Sequence, residues 1–282
     1  MSDRIETFGQ STLQHGPHSD RVYLMDLAEA DLPELLPYLD DLAARQGYTK
    51  IFAKVPAPWA DHFLEDGYEV EARIPGLIAE KTDGLFLGKY LSDSRRREKK
   101  EALVRQVISA ASAKQSKPGH HTLAENLACR LCLDDDCEAM ASLYREVFAS
   151  YPFPIHDPAY LRETMASHIL YYGIWQGDQL LALASAELDR RKGNAEMTDF
   201  ATSPEARGKG LAQTLLTKLE EGAAAEGIQT AYTIARAYSM GMNITFARAG
   251  YTYCGTLTHN TQISGGLESM NVWYKPLTFQ NG

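Results

Sequence analysis

No long apolar run occurs anywhere in the 282 residues. The longest stretches, such as Leu180 to Ala186, fall well short of the roughly 20 residues that span a bilayer, and Met1-Ser2-Asp3-Arg4 lacks the apolar segment of a secretory signal. A cytoplasmic protein with no membrane contact is therefore expected. Basic charge is scarce too: 28 Lys and Arg stand against 37 Asp and Glu, for a formal net charge of −9. That balance disfavours nucleic acid as a partner, because phosphate binding needs a basic surface, and it suits a cationic small molecule better. The basic run Arg95-Arg96-Arg97-Glu98-Lys99-Lys100 reads as a solvated helical face rather than a nucleic-acid patch.

Cysteine is equally sparse, with four in all. Cys129 and Cys132 have the spacing of a zinc knuckle, but the segment reads as a strand, in which residues three apart face opposite ways, and no second pair completes four ligands. No metal is expected, and Cys129, Cys132, Cys137 and Cys254 are read as small hydrophobes. Neither the Walker pattern GxxxxGK[ST] nor the dinucleotide fingerprint GxGxxG is present.

What is present divides in three. Residues 92–121, rich in Lys, Arg, Ala, Ser and Gln and ending in Lys117-Pro118-Gly119-His120-His121, read as a partly helical linker between segments 1–91 and 122–282. In the C-terminal segment, Leu127–Leu133 is a strand. Asp134-Asp135-Asp136 then caps a helix carrying Met140, Leu143, Tyr144, Val147 and Phe148. A Pro-rich break from Tyr151 to Pro158 precedes a short helix through Met165. Strands follow at Tyr171–Trp175, Leu180–Leu188 and Ala195–Thr202. After these come a helix from Leu211 to Gly227, a strand at Thr230–Ala235, a helix at Met242–Ala249, and closing strands at Tyr251–Leu257 and Ser269–Tyr274. Such an order makes an α/β domain.

The N-terminal segment repeats the second half of that order: strand Arg21–Leu27, helix Leu32–Gln46, strand Lys50–Val55, a helix ending near Gly67, and strands near Val70–Ile74 and Leu85–Tyr90. Phe63-x-x-x-Gly67-Tyr68 has its counterpart in Phe246-x-x-x-Gly250-Tyr251. A degenerate half-repeat is expected, against the alternative that a helix ending in glycine before a strand recurs by chance. Its first helix opens at Glu29-Ala30-Asp31-Leu32-Pro33, where acidic residues and the lack of glycine argue against a second anion site.

The strand Ala195–Thr202 runs through Ser203-Pro204-Glu205-Ala206 into Arg207-Gly208-Lys209-Gly210-Leu211-Ala212 and a helix. The first amides of a helix lack internal partners and its dipole favours negative charge. Glycines let a pyrophosphate approach, and Arg207 and Lys209 add positive charge. By itself this indicates a phosphate-bearing ligand. The loop also resembles the [QR]-x-x-G-x-[GA] motif of the GNAT acetyltransferases, in the strand-to-helix setting of that family. Longer phrases extend the resemblance over the whole chain, to the β-lysine N-acetyltransferases: Glu196-Met197-Thr198-Asp199-Phe200-Ala201-Thr202, Gly241-Met242-Asn243, Glu268-Ser269-Met270-Asn271-Val272-Trp273-Tyr274-Lys275, Gln14-His15-Gly16, Lys50-Ile51-Phe52-Ala53-Lys54-Val55-Pro56 and Ile74-Pro75-Gly76.

That resemblance implies a GNAT fold with a mixed central sheet, preceded by a degenerate GNAT-like half-domain. It implies acetyl-CoA as co-substrate, β-lysine acetylated at its terminal amine as a compatible solute in osmotic stress, and a lysine 2,3-aminomutase as functional companion. Phe200, Ala201, Thr202, Arg207 to Ala212, Asn243 and Phe246 become the expected cofactor residues. A carboxylate on the strand before the loop serves as base in related enzymes, which nominates Glu196 and then Asp199, expected on opposite faces of the strand. Where many members carry a proton-donating tyrosine this chain has Phe246, so Tyr238, Tyr253 or water must serve. For the amine substrate, Tyr151, His156, Asp157, Glu268 and Asn271 are candidate contacts. Other amines, or a non-catalytic acyl-CoA sensor, stay open as alternatives. The N-terminal segment has two candidate roles, shaping the amine pocket or supplying a homodimer interface.

Overall fold

The structure, a computed structural model, describes residues 3–115 and 123–277. The linker phrase Lys117 to His121 lies outside them. The N-terminal part holds β1 (Arg4–Phe8), β2 (Ser11–Gly16), β3 (Arg21–Asp26), α1 (Leu32–Gln46), β4 (Lys50–Pro56), α2 (Ala60–Glu65), β5 (Glu69–Ile78) and β6 (Thr82–Tyr90). Two helices follow, α3 (Asp93–Arg96) and α4 (Glu101–Ser112). The C-terminal part holds β7 (Ala128–Leu131), α5 (Cys137–Val147), α6 (Pro158–Ser167), β8 (Ile169–Gln176), β9 (Gln179–Asp189), β10 (Asn194–Thr202), α7 (Leu211–Ala225), β11 (Thr230–Arg236), α8 (Met240–Arg248), β12 (Thr252–Ile263) and β13 (Gly266–Pro276).

All the strands join one 13-stranded mixed sheet in the order β1-β2-β3-β4-β6-β5-β12-β13-β11-β10-β9-β8-β7. The order of strand pairing is the same in the two halves. In the first half, β3 runs parallel to β4, which pairs antiparallel with β6, and β6 with β5. In the second, β10 runs parallel to β11, β11 pairs antiparallel with β13, and β13 with β12. The repeated phrases build the same helix stop: the Tyr68 amide donates to the Phe63 carbonyl and the Tyr251 amide to that of Phe246, each at 3.1 Å. The paired rings meet edge-on at 5.2 and 5.1 Å, and the intervening glycines sit at φ 85° and 87°, the left-handed C-terminal cap that glycine adopts without strain. Sequence reading missed β1 and β2, which carry few apolar residues: Ile5 and Phe8 in the first and Leu13 in the second.

The two halves meet at β5 and β12, where Gly255 pairs with Ala72. A Cβ at Gly255 would stand 2.0 Å from the Glu71 carbonyl oxygen, so glycine is what lets these strands close. Beyond this seam the sheet folds back on itself. Alternate residues of β3, β4 and β6 (Tyr23, Phe52, Phe86) pack on alternate residues of β11 and β13 (Tyr232, Ile234, Met270, Val272). The opposite face of the first half is covered by α1 and α2, and that of the second by α7 and α8 with Ala111 of α4. Helices α5 and α6 lie on the same face of the second half as the folded-back first half. Buried cations tie the seam: the Lys50 ammonium donates to the Thr258 carbonyl at 2.9 Å and the Arg95 Nε to that of His259 at 2.7 Å. Cys129 packs toward α7, whereas Cys132 lies in the α5 core, as residues three apart on a strand should. Among the described residues no helix is long and apolar enough to cross a membrane.

Candidate active site

Strands β10 and β11 are hydrogen-bonded only from Asn194–Thr230 to Glu196–Tyr232. Beyond that point they diverge, and the wedge between them opens into a cleft of about 720 Å³. Its walls are the second half of β10, the glycine loop, β11 and α8, with Val147, Phe148 and Tyr151 at one end. Divergence leaves β10 with backbone groups that have no partner on this side, so a ligand entering the wedge meets an open sheet edge.

At the outer end the loop forms as its glycines require. Gly208 and Gly210 sit at φ 78° and 75°, and Gly210 is the N-terminal cap of α7. No backbone carbonyl among the described residues accepts from the amides of residues 208–212. Those amides lie at the N-terminus of a 15-residue helix, an arrangement that fits a pyrophosphate. Arg207 lines the cleft, whereas the exposed Lys209 does not.

A bulge shapes the inner end. Thr198 pairs with Ser185 and Ala201 with Leu183, so β10 carries one extra residue against β9, and Asp199 takes φ 55°. The bulge corrects the expectation that Glu196 and Asp199 face opposite sides: the added residue breaks strand alternation and returns Asp199 to the face of Glu196 and Thr198. There Asp199 accepts from the Ser185 hydroxyl at 2.5 Å and from the Tyr151 hydroxyl. Burial raises its pKa, with Ser185 and Tyr151 pulling the other way.

Glu196 stands at the last rung before the wedge, opposite Glu187 on β9, and both lie just inside the apex, next to the cleft lining rather than in it. Two carboxylates directly across a strand pair repel, so their pKa values separate. Glu196 is pushed up to about 8, by burial first and by the Glu187 charge second. Burial raises Glu187 as well, but His168, 3.7 Å away, together with Lys54 holds it below the usual range. The result is a carboxyl group able to gain and lose a proton near neutrality beside one that stays charged.

The other expected site residues divide. Phe200, Thr202, Leu211, Ala212 and Phe246 line the cleft with Asp199 and Tyr151. Ala201, shifted by the bulge, packs instead into the α5 core. Asn243 is fully buried and fully used: its amide donates to the Arg236 and Ser239 carbonyls, and its oxygen accepts from Asn271 and from the Trp273 indole. Asn271 belongs to that same network and accepts from Thr256. Neither reaches the cleft, because each side chain is aimed between α8 and β13. Glu268 holds Arg236 through two bonds of 2.7 and 2.9 Å. Asp157 caps α6 by accepting from the Ala159 amide, and His156 lies outside the cleft lining. Tyr238 donates to Glu98 and Tyr253 bonds Thr256, so neither tyrosine faces the wedge where Phe246 sits. Sequence reading missed Ser185 and Glu187. The signal was there, as polar residues at alternate positions of the otherwise apolar β9.

Comparison with known proteins bears on this geometry. The acetyltransferase (GNAT) family profile matches residues 137–251, which span α5 to the end of α8. A β-lysine N(6)-acetyltransferase of Methanococcus maripaludis is 34% identical over 273 residues, covering 97% of this chain and 98% of its own. One of Methanosarcina mazei is 31% identical over 88% of this chain and 87% of its own. The N-acetyltransferase YodP of Bacillus subtilis is 37% identical over 69% of this chain and 73% of its own.

Proposed function

Since this chain belongs to the GNAT family and is an N-acetyltransferase, we propose that it moves the acetyl group of acetyl-CoA to the terminal amine of β-lysine. The observation that carries this reading is the Glu196–Glu187 pair at the apex of the wedge. One charged carboxylate, Glu187, and one carboxyl able to take a proton, Glu196, beside the inner end of the cleft suit a cationic amine that meets an acyl group bound from the glycine loop. Two relatives named for this acceptor, similar along nearly the full chain, support the choice of amine. N6-acetyl-β-lysine is the product, and we read it as a compatible solute.

Acetyl-CoA supplies the activated acyl group, and the amides of residues 208–212 fit its pyrophosphate. A lysine-type ammonium, with a pKa near 10.4, does not attack until it loses a proton. Glu196, ionised in a fraction of molecules at neutral pH, takes that proton directly or through a water. Glu187 stays charged and holds the ammonium beside it. The open edge of β10 past Glu196 offers amides to polarise the acyl oxygen. With Phe246 in the wedge and Tyr238 and Tyr253 engaged elsewhere, water delivers the proton to the departing sulfur.

The test is thiol release by the purified protein with acetyl-CoA and a panel of β-lysine, α-lysine and spermidine. Preference for β-lysine in kcat/KM supports the assignment. Equal use of all three amines removes β-lysine as the substrate, and binding of acetyl-CoA without turnover on any amine makes the protein a sensor.

A further inference from the structure

The first half of the sheet is folded over the face that carries Glu187, Glu196 and Asp199. On β4, Lys50, Phe52 and Lys54 alternate onto the surface that meets the second half, while Ile51, Ala53 and Val55 point to α1 and α2. Lys54 lies directly across from Phe86 on β6. Phe86 packs on Tyr232, ring centroids 6.1 Å apart, and Tyr232 is the β11 neighbour of Glu196. A chain of adjacent residues thus leads from Lys54 to the proposed base.

The Phe52, Phe86 and Tyr232 side chains between them are almost fully buried, whereas Lys54, Glu187 and Glu196 keep part of their surface in water. Glu187 keeps 43%. The middle of the contact is thus dry and aromatic, and the charged groups at its margin keep contact with water.

The other cations on this surface are engaged. Lys50 is paired with Glu71 at 2.7 Å. Arg21 donates to Asn260 and lies over the Tyr23 and Phe52 rings. Lys192 and Arg191 both hold Asp26, at 2.5 and 2.8 Å, and so latch the edge of β3 to the β9–β10 turn. Among the described residues no carboxylate comes within 4.0 Å of the Lys54 ammonium, although its charge is felt at Glu187, Asp189 and Glu196.

A pocket built only to collect a polyamine gains nothing from a lysine held opposite its carboxylates, because that charge repels the ligand. An acceptor with ammonium groups and a carboxylate gains from both signs. We propose that Lys54, supplied by the N-terminal half-domain, binds the carboxylate of the acceptor and thereby selects a diamino acid over a simple diamine. This rests on β-lysine being the acceptor, and it gives the half-domain a part in the site: it carries the residue that reads the end of the substrate remote from the reacting amine.

The experiment compares β-lysine with 1,4-diaminopentane, the same chain without its carboxylate, as acceptors for the full-length wild type, Lys54→Met and Lys54→Arg. Removing one charged hydrogen-bonding partner should cut the ratio of the two kcat/KM values by about 10- to 100-fold in Lys54→Met. The loss should fall on KM for β-lysine, and Lys54→Arg should recover most of the ratio. A wild type that prefers β-lysine, with a preference that survives Lys54→Met, overturns the role of Lys54 alone. So does a Lys54→Met variant that loses both activities in equal proportion. A wild type that uses 1,4-diaminopentane as well as β-lysine overturns the substrate reading, and the carboxylate role with it.

Discussion

The Ser185 hydroxyl donates to the Asp199 carboxylate at 2.5 Å across the bulge that separates the two halves of β10. This contact, with the Tyr151 hydroxyl on the other oxygen, holds a residue at φ 55° and turns its side chain toward the amine side of the wedge. Asparagine tolerates that backbone region and keeps one acceptor oxygen, whereas leucine pays about 1–2 kcal/mol of backbone strain and keeps none. Asp199→Asn should therefore fold with a near-normal melting temperature and lose activity through a misplaced Tyr151, seen as a raised KM for the amine. Asp199→Leu should also melt lower. Equal melting temperatures for the two variants would show that the bulge does not depend on this residue.

Gly210 closes the loop at φ 75° on the first turn of α7. Gly210→Asp places a side chain and a negative charge among the amides of residues 208–212, where the pyrophosphate is expected. Titration calorimetry should show acetyl-CoA affinity falling at least about 100-fold, the scale of a charge-assisted site turned repulsive. Unaltered affinity would move the phosphate site away from this loop.

The conformation of the glycine loop was legible because its requirements are local. Glycines, a preceding strand and a following helix lie within one short stretch, and Arg207 to Ala212 folds as that pattern demands. The half-repeat was legible for the same reason, since Phe63-x-x-x-Gly67-Tyr68 and Phe246-x-x-x-Gly250-Tyr251 each close one helix with one hydrogen bond. The amine side was not legible. Whether Asp199 shares a face with Glu196 depends on one extra residue measured against β9, and the partner of Glu196 is Glu187, on a different strand. Lys54 reads as an ordinary strand lysine until the sheet folds back and sets its face against the second half. Asn243 and Asn271 misled for the opposite reason: amide side chains near a site suggest ligand contacts, but here they bond each other.

That asparagine network gives a prediction about stability rather than catalysis. Asn243→Ala leaves the Trp273 indole and the Asn271 amide as buried donors without an acceptor. At about 1–3 kcal/mol for each such group, the variant should lose on the order of 3 kcal/mol and roughly 6–12 °C in Tm. Its affinity for acetyl-CoA should stay close to that of the wild type. A large loss of affinity with an unchanged Tm would return Asn243 to the cofactor site.

The raised pKa of Glu196 couples catalysis to pH. If Glu196 must be ionised to take a proton from the substrate ammonium, kcat/KM for β-lysine should rise with pH and level off above about 8, where that carboxyl titrates. In Glu196→Gln the amine must lose its proton to solvent. The profile should then keep rising toward the amine pKa near 10.4, with rates at pH 7.5 lower by about 10²- to 10⁴-fold. The same group sets a stability trend of definite sign. An unfolded chain releases this proton near the ordinary glutamate value of 4.5, while the folded protein holds it to about 8. Between those values the native state binds the extra proton, so this residue's contribution to stability declines as pH rises, and above 8 its full cost is present. Glu196→Gln should accordingly melt higher than wild type at pH 9, by a margin that shrinks toward pH 5. A break near pH 8 that persists in the glutamine variant would assign the titration, and the proton transfer, to another group.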